Sequence, residues 1–178
     1  MLFYELLESN EQEMTVMKKL ISSALISWFV VFAVSANAGS YEDGVTAYER
    51  KDYVTAAKLM RVAADQGDSF AQSNLGLMYA NGQGVTQDYK EAVRFYRLSA
   101  DQGNADAQFY LGFMYEVGQG VTQDYVRAHM WLNISASSGD KNAKSKRDII
   151  AKQMSPTQIE KAQDMARRCQ SSNFKNCD

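Results

Sequence analysis

The sequence predicts an all-helical fold in which antiparallel helix pairs stack in series, and three observations carry that prediction. A segment from Ala71, AQSNLGLMYANGQGVTQDYKEAVRFYRLSADQG, returns from Ala107 as AQFYLGFMYEVGQGVTQDYVRAHMWLNISASSG, an offset of 36 residues. Self-similarity at such a period marks a repeat architecture, in which each unit shelters the apolar side of its neighbour. Within the unit, Ala71, Leu75 and Met78 recur at i, i+4 and i+7, one face of a helix. The chain contains a single Pro, so helices meet few breakers.

Taken from the amino end, the first elements stand apart from the repeats. Residues 1–16 carry Glu5, Glu8, Glu11 and Glu13 and read as an extension ahead of a start at Met17 or Met14. Residues 17–38 read as a secretory signal: Lys18 and Lys19 precede an apolar run from Leu20 to Val34, and Ala36-Asn37-Ala38 supplies a small-x-small cleavage site before Gly39. The run is shorter than the ~20 residues that span a bilayer, which weighs against a permanent anchor, the alternative reading. A periplasmic or secreted chain, with no stable membrane insertion after cleavage, is the expectation.

Residues 39–168 form the repeat domain. In the unit 68–103, a first helix carries Leu75 and Met78, and Gly76 inside it marks a close approach of another helix, since a mid-helix Gly otherwise costs about 1 kcal/mol. Gly82 and Gly84 end that helix, Val85 plugs the turn, and Asp88 accepts the first N–H groups of a second helix whose stripe is Tyr89, Ala92, Val93, Tyr96 and Ala100. Gly103 ends it and Asn104 caps the next unit, 104–139, which repeats the pattern. Upstream, Lys51-Asp52-Tyr53 aligns with Gln87-Asp88-Tyr89, so the unit 41–67 has a shortened turn and a first helix near Tyr41 to Glu49.

Downstream, residues 140–168 read as a capping unit. Ala143 keeps the register, Arg147 and Asp148 replace the Leu-Gly pair, and Ser155-Pro156-Thr157-Gln158 opens a last helix with a capping box. Residues 169–178 are expected to be a tail. In an oxidising compartment Cys169 and Cys177 pair as a disulfide; two unpaired thiols are the alternative. With one His in the chain, a metal site lacks donors, and none is expected.

The pattern A-x-x-x-L-G-x-x-Y-x-x-G-x-G-V-x-x-D-x-x-x-A, met at Ala71 to Ala92 and at Ala107 to Ala128, resembles the Sel-one-like repeat (SLR), a relative of the tetratricopeptide repeat. The resemblance covers residues 41 to 168. It implies a right-handed α/α solenoid of antiparallel helix pairs and a role as an adaptor or scaffold for a protein or peptide partner, often at the bacterial envelope.

The resemblance also brings an enzymatic alternative, because cysteine-rich relatives have been credited with penicillin binding or β-lactamase activity. A cell-wall-acting enzyme or inhibitor would need the Ser-x-x-Lys motif, found at Ser138 to Lys141 and at Ser172 to Lys175, but the companion Ser-Asp-Asn and Lys-Thr-Gly motifs are absent. The Gly-rich turns 82–84 and 118–120 lack the Gly-Lys-Ser/Thr ending of a phosphate loop. His129 occupies the position of Val93 and Trp131 that of Phe95, both read as packing residues. No catalytic residue and no cofactor is expected.

Cleavage after Ala38 removes four of the 21 acidic and two of the 19 basic residues, leaving 17 of each. A balanced chain gives no electrostatic footprint for nucleic acid. If the first helices line a groove as in tetratricopeptide repeats, positions off the core stripe point into it: Phe70, Ser73 and Leu77 in one unit, Phe109, Phe113 and Glu116 in the next. Either these side chains form an exposed binding strip or they pack against adjacent helices.

Overall fold

The computed structural model describes residues 39–175 and residue 177. The expected start extension, signal segment and cleavage site at 1–38 lie outside the described residues. The compact unit Ser40–Asp178 holds the packing described below. Among the described residues all regular structure is helical: α1 (39–49), α2 (Tyr53–Asp65), α3 (Ser69–Asn81), α4 (Tyr89–Ala100), α5 (Ala105–Val117), α6 (Tyr125–Ser137), α7 (Lys141–Ala151) and α8 (Pro156–Ser171). None of these is long and apolar enough to cross a membrane.

Local chemistry sets the boundaries. Every helix from α2 to α8 starts on an Asp, Asn or Ser whose side chain accepts a backbone N–H of the first turn, which satisfies donors the helix itself cannot. α3 and α5 end on Gly82 and Gly118 in the left-handed region. The Gln87 side chain then donates to the Ala80 carbonyl at 2.7 Å and Gln123 to that of Glu116 at 2.8 Å, closing both turns.

The helices stack as pairs, α3 with α4 and α5 with α6, and each pair packs on the next through α2 with α3, α4 with α5 and α6 with α7. The expected close approach at the mid-helix glycines is present. A Cβ on Gly76 would lie 2.8 Å from the Tyr96 ring, and one on Gly112 2.9 Å from Leu132. Gly44 of α1 makes the equivalent approach to Met60. The buried core follows the same rows: Leu75, Met78, Leu111, Phe95 and Trp131 are all essentially inaccessible.

Buried polar side chains join the units at the same offset. Gln72 donates to the Ala64 carbonyl and Gln108 to that of Ala100, at 3.1 and 3.2 Å. Within the pairs, the Ser99 hydroxyl donates to Ser69 O at 2.6 Å and Ser135 to Ala105 O at 2.9 Å. Arg61 of α2 donates to the Tyr79 hydroxyl of α3, and Arg97 of α4 to that of Tyr115 in α5.

The carboxyl end departs from this scheme. Asp148 stands where Gly44, Gly76 and Gly112 make their crossings, so the α7–α8 pair lacks the glycine that lets two helices touch. α8 instead packs on α6, where Met130 and Ile134 are fully buried. Arg147 is half-buried and donates to the Asn133 side-chain oxygen of α6 at 2.9 Å. The tail expected from residue 169 begins later. No breaker stands before Ser171, so Cys169 lies inside α8 and is buried, and the helix stops where Asn173 and Phe174 take positive φ. A Cys169–Cys177 disulfide closes the tail, and Phe174 rests against Gly103.

Candidate interaction site

The six side chains expected to form a binding strip are distributed unevenly. Leu77 of α3 and Phe113 of α5 meet in one pocket of about 170 Å³, which Asn81, Tyr110 and Gln119 also line. Phe109 is half-buried, edge-on to Tyr110 with ring centres 5.4 Å apart. Ser73 is 8% exposed, so it packs among helices rather than facing open surface. Phe70 is 59% exposed and sits against the Tyr41 ring at 6.3 Å, outside the pocket lining. Glu116 is tied to Lys146 of α7 at 2.9 Å, and the same ammonium lies 5.0 Å from the Phe113 ring centre.

Two tyrosines that the sequence presents as ordinary positions define the pocket's chemistry. Tyr96, read as part of the apolar stripe, is 1% exposed, lines the pocket and stacks on Tyr110 with ring centres 5.2 Å apart. Burial first, and then the neighbouring Tyr110, push its phenol far above the usual range. Tyr110 is raised by burial and by the charges of Asp106, Tyr48 and Asp140. Both hydroxyls therefore remain protonated donors at any physiological pH. The signal that could have found Tyr110 is the comparison of copies: Asn74 stands at the same place one unit earlier.

The sites weighed for chemistry resolve into structural parts. Gly84 rides on the first turn of α2, where a Cβ would lie 1.9 Å from the Tyr53 carbonyl oxygen, and Gly120 meets Tyr89 in the same way at 2.2 Å. A loop seated on carbonyl oxygens is a joint between units and repels an anion. Ser138 is the C-cap of α6 and Lys141 the first residue of α7, both exposed, while the Ser172 hydroxyl donates to the Cys169 carbonyl at 2.8 Å. His129 is 3% exposed; burial, reinforced by Arg147 and opposed by Asp148, holds its pKa below the ordinary value. Among the described residues no three His, Cys, Asp or Glu side chains converge to hold a metal.

The Sel1 repeat family model matches residues 36–68, 69–104 and 105–140, together more than half of the chain. The chain belongs to the Sel1 repeat family. No curated protein matches it. Among solved structures it is similar to a protective antigen of uropathogenic Escherichia coli with an SLR fold, at a TM-score of 0.73 and 28% identity over 79% of this chain and 31% of that one. It is also similar to a Sel1 repeat protein from Oxalobacter formigenes, at 0.58 and 32% over 60% of this chain and 44% of the other. Cysteine-rich protein B of Helicobacter pylori shares the fold at 0.50 and 18% identity, over 62% of this chain and 93% of that one. The chain thus spans less than half the length of the first two relatives. Its Sel1 repeats form an α/α solenoid of the kind these relatives share, and no catalytic family is matched.

Proposed function

We propose that this Sel1 repeat protein is an adaptor that binds a protein or peptide partner through the face of α3 and α5, in the periplasm or outside the cell. The observation that carries the reading is the shared pocket of Leu77 and Phe113, two positions displaced from the core stripe that meet across neighbouring units. Binding energy at protein interfaces concentrates in such pockets, where an anchor side chain is fully desolvated. Export is supported by the signal-like segment at 17–38 and by the Cys169–Cys177 disulfide, which suits an oxidising compartment.

Crosslinking in intact cells followed by mass spectrometry identifies the partner. A Phe109→Ala, Phe113→Ala chain is then expected to lose capture of it by more than about tenfold while keeping a helical circular-dichroism spectrum, since hot-spot truncations cost ~2 kcal/mol or more. Undiminished capture by that double variant would remove this face from consideration.

A further inference from the structure

Charge is segregated between the two kinds of helix. The first helices of the three repeats carry no bases, and two of them carry acids: Glu42, Asp43 and Glu49 in α1, Asp106 and Glu116 in α5, while α3 is uncharged. The second helices are net positive: Lys58 and Arg61 against Asp65 in α2, Lys90, Arg94 and Arg97 against Glu91 in α4, and Arg127 in α6. A balanced total charge conceals this division. The Lys146 pair neutralises Glu116, whereas Asp106 is exposed one turn before Tyr110, on the same side of α5. Tyr110 feels the negative charges of both Asp106 and Asp140.

The pocket that Tyr110 lines has the dimensions and donors for one side chain and its peptide group. At about 170 Å³ it falls below the ~300 Å³ at which small-molecule sites begin, yet a cavity of ~150 Å³ already holds a benzene ring. The Tyr96 side chain is 1% exposed and lines the pocket, and no hydrogen bond among the described residues reaches its hydroxyl or that of Tyr110. A phenol at a pocket wall with no protein acceptor is free to donate to a ligand carbonyl.

We infer that the pocket between α3 and α5 takes one apolar side chain of a cationic peptide segment, whose backbone carbonyl accepts from Tyr96 or Tyr110 and whose flanking Lys or Arg lies against Asp106. The inference rests on the α3–α5 face being the binding surface. It adds the partner's chemistry: a basic segment with a leucine-sized or phenyl-sized anchor.

The test uses the purified full chain and three labelled synthetic peptides, read by fluorescence anisotropy. One has a central leucine flanked by lysines, the second has glutamates in place of the lysines, and the third has alanine in place of the leucine. Only the lysine–leucine peptide is expected to bind tightly. Tyr96→Phe, which deletes one hydroxyl from a retained ring, weakens it roughly 2- to 10-fold. Asp106→Lys, at an exposed position, weakens it about tenfold at low salt, and the difference shrinks as salt is added. Equal binding of the glutamate and lysine peptides overturns the charge assignment and leaves the binding face standing. Absence of binding by all three overturns the inference; capture of the crosslinked native partner by Phe109→Ala, Phe113→Ala protein then shows whether the face falls with it.

Discussion

Replacing Gly84 by Ala tests whether the Gly-x-Gly turn is a joint between units or only the end of a helix. Gly82 supplies the control, because both residues hold nearly the same left-handed conformation, φ 67° and 70°. Alanine at either position carries a strain of roughly 1–2 kcal/mol. It also gains a similar ~0.4–1 kcal/mol from the stiffer unfolded chain, which cancels in the comparison. The two differ in what the new methyl meets. At Gly82 the nearest atom is Cβ of Gln87 at 3.3 Å, which yields by a small movement. At Gly84 it is the Tyr53 carbonyl oxygen at 1.9 Å, with the Val54 nitrogen at 2.8 Å. Both are helix backbone, so the loop must lift off α2 by more than about 1 Å, and overpacking of this kind costs about 1–3 kcal/mol. Gly84→Ala is therefore expected to be less stable than Gly82→Ala by about 1–3 kcal/mol. That is a large share of the ~5–15 kcal/mol that holds a domain together. Urea unfolding followed by circular dichroism reads the difference as a midpoint lower by roughly 1 M. Equal midpoints, or a Gly82 variant that unfolds first, would refute the joint.

Two further perturbations address the carboxyl-terminal half. His129 is held neutral, so the unfolded chain binds more protons below the ordinary value of 6.5, and stability falls as pH drops from 6.5 toward the depressed folded pKa, at up to ~1.4 kcal/mol per pH unit. Thermal melts between pH 7 and pH 5 are expected to show this slope in the parent chain and to lose it in His129→Val, which carries the residue found at the matching position 93; a slope that survives assigns the effect elsewhere. Cys169→Ser with Cys177→Ser opens a loop with a sequence separation of 8 and costs about 2–3 kcal/mol by the chain-entropy relation. Denaturation with and without reductant checks it, and reductant that leaves the parent midpoint unmoved contradicts a stabilising bridge.

What could be read from the sequence is whatever the 36-residue offset repeats without interruption. Gly76 and Gly112 stand inside helices where glycine is costly, and the crossings onto Tyr96 and Leu132 explain them. Gly44 was not legible in the same way, because the shortened first turn changes its offset to 32 and hides the match. The Arg61–Tyr79 and Arg97–Tyr115 bonds do obey the offset, but an arginine on a helix surface reads as solvated until the partner hydroxyl is placed beside it. The docking of α8 on α6 follows from a missing glycine at Asp148, and the sequence shows that substitution only as a polar residue in a core register. Tyr96 belongs to the core stripe, as periodicity indicates, yet the same side chain also lines the pocket, and periodicity assigns a side chain only one surrounding.

The two central repeats also separate holding from recognising, residue by residue. Between α3 and α5 the pairs Ala71 and Ala107, Gln72 and Gln108, Leu75 and Leu111, Gly76 and Gly112, Met78 and Met114, Tyr79 and Tyr115 are identical. Apart from Tyr79 these are all buried side chains or the glycines of the crossings, and Tyr79 receives the bond from Arg61. The remaining positions differ in every case: Ser69 becomes Ala105, Phe70 Asp106, Ser73 Phe109, Asn74 Tyr110, Leu77 Phe113, Ala80 Glu116 and Asn81 Val117. They recur at three- and four-residue steps, so they form a continuous face of each helix. On these first helices the stacking positions repeat, whereas a surface that meets one partner along its length meets a different part of it at each unit. The differing face contains both pocket residues expected at the outset, Leu77 and Phe113, together with Ala80, Asn81 and Tyr110, which also line the pocket. Leu77 with Phe113 and Asn74 with Tyr110 are the diverging pairs that accord with the proposed binding surface, while Ser73, which packs among helices, diverges to the half-buried Phe109.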